Sequence, residues 1–143
     1  MAATMDEEYR TYYNRIRKRQ GAVALLAGLG QRGVLIGLLS NSESAYVSER
    51  LHQHRIGGAF NVVFDAVPPI MKPNGAAFLA VARSLGRDIR QTVMVGDSLL
   101  MDVLPALDSG YAHAYWMTAS RRPAPARAAK VRTCAALAAL LRV

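Results

Sequence analysis

With 143 residues the chain is too short for two full domains but long enough for one with a true core, since a domain of this size buries roughly 68–70% of its unfolded surface. A composition of 52% hydrophobic and 20% charged residues, with ordinary Gly and Pro, excludes a disordered or fibrous protein. The formal charge of +8 favours anionic partners by long-range attraction, without choosing among phosphate esters, nucleic acid and acidic lipid.

The positive charge clusters at Arg15, Arg17, Lys18 and Arg19 and again at Arg121 and Arg122. No aromatic stacking platform or zinc-finger spacing accompanies it, so a solvated helix face and a basic loop are expected and nucleic acid is not favoured. The single cysteine, Cys134, cannot form an internal disulfide, which suits a reducing compartment. The N-terminal stretch carries acids and no apolar core, unlike a secretory signal. The most apolar stretch, residues 22–39, is cut by Gln31, Arg32 and Gly33 into pieces shorter than the ~20 residues that cross a bilayer. A soluble, cytoplasmic protein without membrane attachment is the expectation.

In chain order, residues 6–19 are polar and charged with a helical look. Residues 22–29 suit a short helix and residues 30–33 a turn. The continuous apolar run VLIGLL, residues 34–39, has the pattern of a strand covered on both faces. Ser40, Asn41 and Ser42 end it, and a helix over residues 45–55 stops at Gly57 and Gly58. A second strand is expected over 60–64. Lys72, Pro73 and Asn74 then open a helix whose apolar positions Phe78, Val81, Ala82 and Leu85 keep helical spacing, with Gly86 closing it. A buried strand over 92–95, a helix over 99–107 ended by Gly110, and a strand over 112–116 follow. The stretch MTASRRPAPARAA reads as a loop, and a last helix covers 134–141.

Alternating strands and helices imply a parallel sheet with helices on both faces, and in such sheets ligands sit beyond the carboxyl ends of the strands. Ser40, Lys72 and Asp97 all fall at predicted strand ends or in loops. The pattern G-x-G-x-x-G at residues 28–33 matches a dinucleotide fingerprint, but the following VLIGLLS is too short and strand-like for the helix that fingerprint requires, so it reads as a helix-to-strand turn. Two readings of VMVGDSLLMD stay open on spacing alone. Asp97, just after a strand and beside Gly96, suits a magnesium ion with Asp102 close by. Alternatively, Asp97 or Ser98 caps the next helix, and Asp102 lies near its positive end.

Taken together and in this order, LLSNS, MKPN and VGDSLLMD resemble the second, third and fourth motifs of the haloacid dehalogenase-like (HAD) hydrolase superfamily, a mostly phosphatase family with a Rossmann-like fold. The resemblance implies an α/β three-layer sandwich around a parallel sheet, with Mg2+ as cofactor and a small phosphorylated metabolite as partner. It implies that Ser40 hydrogen-bonds a phosphate oxygen with Asn41 contributing nearby, and that Lys72 neutralises charge on the phosphoryl group and the nucleophile. Asp97 would ligate magnesium, and Asp102 would support the metal or the lysine. Met101 stands where the family often has a polar residue.

The family's first motif, D-x-D-x-T or V, supplies the nucleophile, and nothing here fits it. Asp6, Glu7 and Glu8 follow no apolar strand, Asp65 lacks a second acid two residues on, and residues 111–143 contain no acid. The expectation is therefore a partial core over residues 21–143, lacking its first strand and most of its cap, preceded by a cap remnant over 1–20. A chain of this kind would derive from a truncated gene or a start codon placed too late, and would be inactive alone. The alternative is a non-catalytic protein, either a domain that binds a phosphate ligand or an interaction protein that pairs with a separate chain supplying the missing strand. Either way, uncovered strand edges would favour self-association.

Overall fold

The computed structural model describes Glu7, Thr11, Tyr12 and residues 15–143. Of the stretch 6–19 expected to look helical, residues 6, 8–10, 13 and 14 lie outside the described residues; Glu7, Thr11 and Tyr12 are helical, and residues 16–19 are irregular. Helix α1 (Ala22–Gln31) leads to strand β1 (Gly37–Ser40), then α2 (Ser44–Gln53), β2 (Val62–Asp65), α3 (Gly75–Ser84) and β3 (Val93–Gly96). A π-helical turn, Leu99–Val103, opens α4 (Leu104–Asp108), followed by β4 (His113–Met117), β5 (Ala128–Val131) and α5 (Cys134–Leu141). Local chemistry sets these bounds. Asn74 caps α3 by accepting from the Ala76 amide at 2.9 Å, and Gly86, at φ +64°, turns the chain out of it in a conformation that favours glycine. The G-x-G-x-x-G stretch forms the end of α1 and the turn after it, as its sequence context suggests.

Among the described residues strands β1 to β5 pair only in parallel, in two separate sheets. β1 pairs with β2, Ser40 opposite Asp65, while β3, β4 and β5 form the other sheet. Among the described residues β1 and β3 do not pair with each other. They nevertheless share one helical layer. Leu39 of β1 and Met94 of β3 both pack on the buried cluster of Phe78, Ala106 and Tyr111. Inside that cluster the Phe78 and Tyr111 rings meet edge to face at 5.8 Å, and the Tyr111 hydroxyl donates to the Phe78 carbonyl at 2.9 Å.

Alternation along β4 separates the two faces. Ala114 and Trp116 are buried with Val103 and Leu107, whereas Tyr115 and Met117 pack against Leu25, Val131, Cys134 and Leu137, which belong to α1, β5 and α5. On β3, Met94 faces the first layer, so Val93 and Val95 point to the other side, where both are exposed.

Three expectations need correction. The loop expected through residue 129 contains the start of a fifth strand, β5, held by pairing to β4. The first strand begins at Gly37 instead of residue 34, since Val34 bonds back to the Leu29 carbonyl and is exposed. The helix expected from residue 99 begins as a π-helical turn in which the Val103 amide reaches the Ser98 carbonyl at 3.1 Å, with Pro105, which has no N–H, just inside α4. Among the described residues no helix is long and apolar enough to cross a membrane.

Candidate active site

The carboxyl ends of β1 and β3, the loop before α3 and the π-helical turn after β3 carry the five residues Ser40, Asn41, Lys72, Asp97 and Asp102. At the tip of β1 the Ser40 hydroxyl accepts from the Ser42 amide at 3.1 Å. The next side chain, Asn41, bonds twice to one residue: its Nδ2 donates to the Lys72 carbonyl and its Oδ1 accepts from the Lys72 amide, both at 2.8 Å. The Lys72 ammonium in turn donates to Asp102 Oδ1, forming an ion pair. The other Asp102 oxygen accepts from the Ser98 amide at 3.1 Å. A continuous route, Asn41 to Lys72 to Asp102 to Ser98, thus joins the tips of two strands that do not pair.

The pair is largely withdrawn from water, the Lys72 and Asp102 side chains being 15% and 5% exposed. Removing two charges from water is costly, so the arrangement depends on their pairing and on the Ser98 amide at the remaining oxygen. An ammonium has three donors; one serves Asp102, and two remain for another anion. Gly96 makes room for this fold-back. A Cβ there would lie 2.5 Å from both the Cβ and Oδ2 of Asp102.

Asp97 has the opposite environment. Its side chain is 70% exposed, with Arg19 Nη2 3.7 Å from Oδ2, a separation worth little at an exposed site. Its backbone carbonyl is held by the Trp116 indole N–H at 3.1 Å. The cap of the following turn is Ser98, whose hydroxyl accepts from the Met101 amide at 3.1 Å, so the Asp97 carboxylate is not used as a cap. No group of three or more His, Cys, Asp or Glu among the described residues could hold a metal ion. Magnesium needs less than that, since it keeps several waters and binds through one or two carboxylates together with substrate phosphates. Asp97 fits such a role. Asp102 already commits both oxygens to Lys72 and Ser98, which places it behind the lysine.

Several contributors were not singled out for these roles in the sequence: the Ser98 amide, the steric demand at Gly96, the Trp116 indole and Arg19. The Gly-Asp-Ser order does signal the turn, but the fold-back of Asp102 depends on the π-helical turn and has no sequence signature.

Residues 3–110 match the family model described as haloacid dehalogenase-like hydrolase. Among solved structures, a HAD phosphatase from Thermococcus onnurineus is 27% identical over 96% of this chain and 64% of its own, with a TM-score of 0.81. The HAD-hydrolase YfnB from Bacillus subtilis, solved bound to magnesium, is 22% identical over 99% of this chain and 63% of its own, with a TM-score of 0.82. An uncharacterized protein from Listeria monocytogenes serotype 4b is 24% identical, with a TM-score of 0.70 over 87% of this chain and 82% of its own. The comparison with curated proteins found no match. The chain thus spans a little under two thirds of the phosphatase and of YfnB, 64% and 63%. The order of the three motifs, the Rossmann-like arrangement of parallel strands and helices, and the family match over most of the chain agree, and the chain belongs to the haloacid dehalogenase-like hydrolase family.

Proposed function

We propose that this chain carries the phosphate- and metal-facing part of a magnesium-dependent hydrolase of phosphoric monoesters, with a small phosphorylated metabolite as substrate. The observation that carries the reading is the hydrogen-bonded route from Asn41 through Lys72 and Asp102 to Ser98, with Ser40 and Asp97 flanking its two ends. Phosphoryl transfer demands positioning and charge stabilisation more than covalent work by the protein. Ser40 would donate to a phosphate oxygen, and the spare donors of the Lys72 ammonium would face the same group. Asp97 would hold magnesium, with Asp102 in support through Lys72; the ion would neutralise negative charge on the phosphoryl oxygens.

The chain as it stands is proposed to be inactive, because no D-x-D-x-T or V occurs in it to supply an attacking carboxylate. The test is release of phosphate from p-nitrophenyl phosphate by the pure chain with magnesium. No turnover is expected, and turnover abolished by Asp97→Ala would overturn the proposed inactivity. Trp116 is the only tryptophan and holds the Asp97 carbonyl, so its emission should respond to magnesium in the native chain and not in Asp97→Ala.

One observation favours a second reading, a non-catalytic protein that binds phosphate and is completed by another chain. The facing edges of β1 and β3 are free of strand pairing among the described residues, and such edges recruit further strands. Sedimentation at several concentrations separates this reading from a lone monomer.

A further inference from the structure

We infer that Asn41 is a positioning residue, which sets the root of Lys72 so that its ammonium reaches the mouth of the site, and not a ligand of the phosphoryl group. The inference rests on the reading of Lys72 given above. Lys72 belongs to no helix or strand, so its backbone N–H and C=O have no ladder to satisfy them. Both are taken by one carboxamide, at 2.8 Å each, in the way a neighbouring peptide unit would take them. Asn41 follows directly on the last residue of β1, so the clamp fixes the main chain of Lys72 to the tip of that strand. At the other end of the side chain, Asp102 fixes the ammonium beside β3.

This arrangement matters because a lysine stem is flexible and carries large rotamer entropy. Held at one end only, the ammonium would sample many positions. Held at both, it is confined between the two strand tips. Among the described residues the gap between β1 and β3 has no ladder hydrogen bonds to maintain the separation of those tips, and the route that begins at Asn41 crosses it. Loss of the clamp therefore releases the ammonium without touching its charge.

The chain has three lysines, which makes the test clean. Limiting acetylation followed by mass spectrometry measures each amine separately. Lys18 donates to the His54 carbonyl, and Lys130 donates to the Ser120 and Arg122 carbonyls, so both serve as internal controls far along the chain from Asn41. In Asn41→Ala, loss of two partly buried hydrogen bonds should raise the Lys72 labelling rate roughly 10-fold, with Lys18 and Lys130 unchanged. Asn41→Asp, which keeps the acceptor and loses the donor, should fall between. An unchanged Lys72 rate in a folded Asn41→Ala chain overturns the inference. So does a result in which Asn41→Ala weakens binding of inorganic phosphate while Lys72 labelling stays the same, since that makes Asn41 a direct ligand.

Should the variants not fold, amide exchange on the native chain decides the matter. The Lys72 amide should be protected from exchange by its bond to Asn41, and exchange at the rate of an open peptide overturns the clamp. Neither measurement requires phosphate. Failure of the native chain to bind phosphate would defeat the proposed function and leave the clamp to be judged by these two readouts alone.

Discussion

Asp102→Asn is the most direct probe of the ion pair at the seam between the two sheets. The substitution keeps size and shape, and the amide oxygen can still accept from the Ser98 N–H that Asp102 holds at 3.1 Å. What it removes is the negative charge opposite the Lys72 ammonium. Breaking a buried pair by neutralising one partner costs about 3–5 kcal/mol, and the 15% exposure of Lys72 leaves it some water, so the lower end, ~3 kcal/mol, is expected. For a chain of 143 residues a change of 1 kcal/mol moves the melting temperature by about 3 °C, which gives a fall of about 9 °C. Thermal unfolding followed by circular dichroism measures it. The companion variant Lys72→Met, and the double variant, complete a cycle. Removing both charges should cost less than the two single changes summed, with a coupling on the order of 2 kcal/mol. A melting temperature for Asp102→Asn within about 2 °C of the native chain, together with additive effects in the cycle, would refute the claim that this pair joins the two strand tips.

Gly96→Ala should destabilise by ~2 kcal/mol or more, because the new methyl would meet Asp102 at 2.5 Å and neither the strand end nor the folded-back carboxylate can yield freely. Gly58→Ala, where a Cβ meets nothing within 4 Å, is the control and should stay within about 0.5 kcal/mol in urea unfolding. Tyr111 governs the alkaline limit. Burial pushes its hydroxyl up to about 12, from an ordinary value near 10. A raised value in the folded state gives stability that is complete below the unfolded value and is lost as pH climbs through the folded one, so urea midpoints should fall between about pH 10 and 12. In Tyr111→Phe that fall should flatten, with a loss of about 1 kcal/mol at neutral pH from the hydrogen bond to the Phe78 carbonyl.

The regular elements were legible wherever an apolar run met a chemical stop. β3 ends at Gly96 and α3 begins after Asn74, both near the positions the sequence suggests. β5 was not legible because its residues, AAKV, contain one β-branched side chain and follow a stretch rich in Pro and Arg. Its strand state comes from pairing with β4 and from the Lys130 ammonium, which gathers the Ser120 and Arg122 carbonyls. The late start of β1 has a similar cause. Asn61 accepts from the Ile36 amide through Oδ1 and donates to the Ile36 carbonyl, engaging Ile36 just ahead of the strand. In the candidate site, Ser40 and Asp97 do lie at the ends of β1 and β3 and Lys72 in the loop before α3, as their sequence positions suggest, but their hydrogen-bond partners were not legible. Asn41 and Lys72 are 31 positions apart, and no local spacing announces their double bond. Asp102 looked like an acid near a helix start, whereas its place is set by Gly96, Ser98 and Lys72 together.

The two-sheet arrangement also constrains how the proposed site could be completed. β1 and β3 each pair in parallel fashion with their outer neighbours, and Leu39 and Met94 rest on the same buried cluster, so the edges that stay unpaired among the described residues belong to one layer. A strand entering between them and continuing the parallel ladders would have its carboxyl end at the tips of β1 and β3. Those strands are four residues long, or ~13 Å at the usual rise. The Lys72 ammonium, with two donors to spare, sits at that end. A carboxylate at the carboxyl end of the incoming strand would lie beside Lys72 and the Asp97 side chain. One at its start would lie a full strand length away, where neither could act on it, so the geometry accepts an attacking acid at one end of the added strand and not the other.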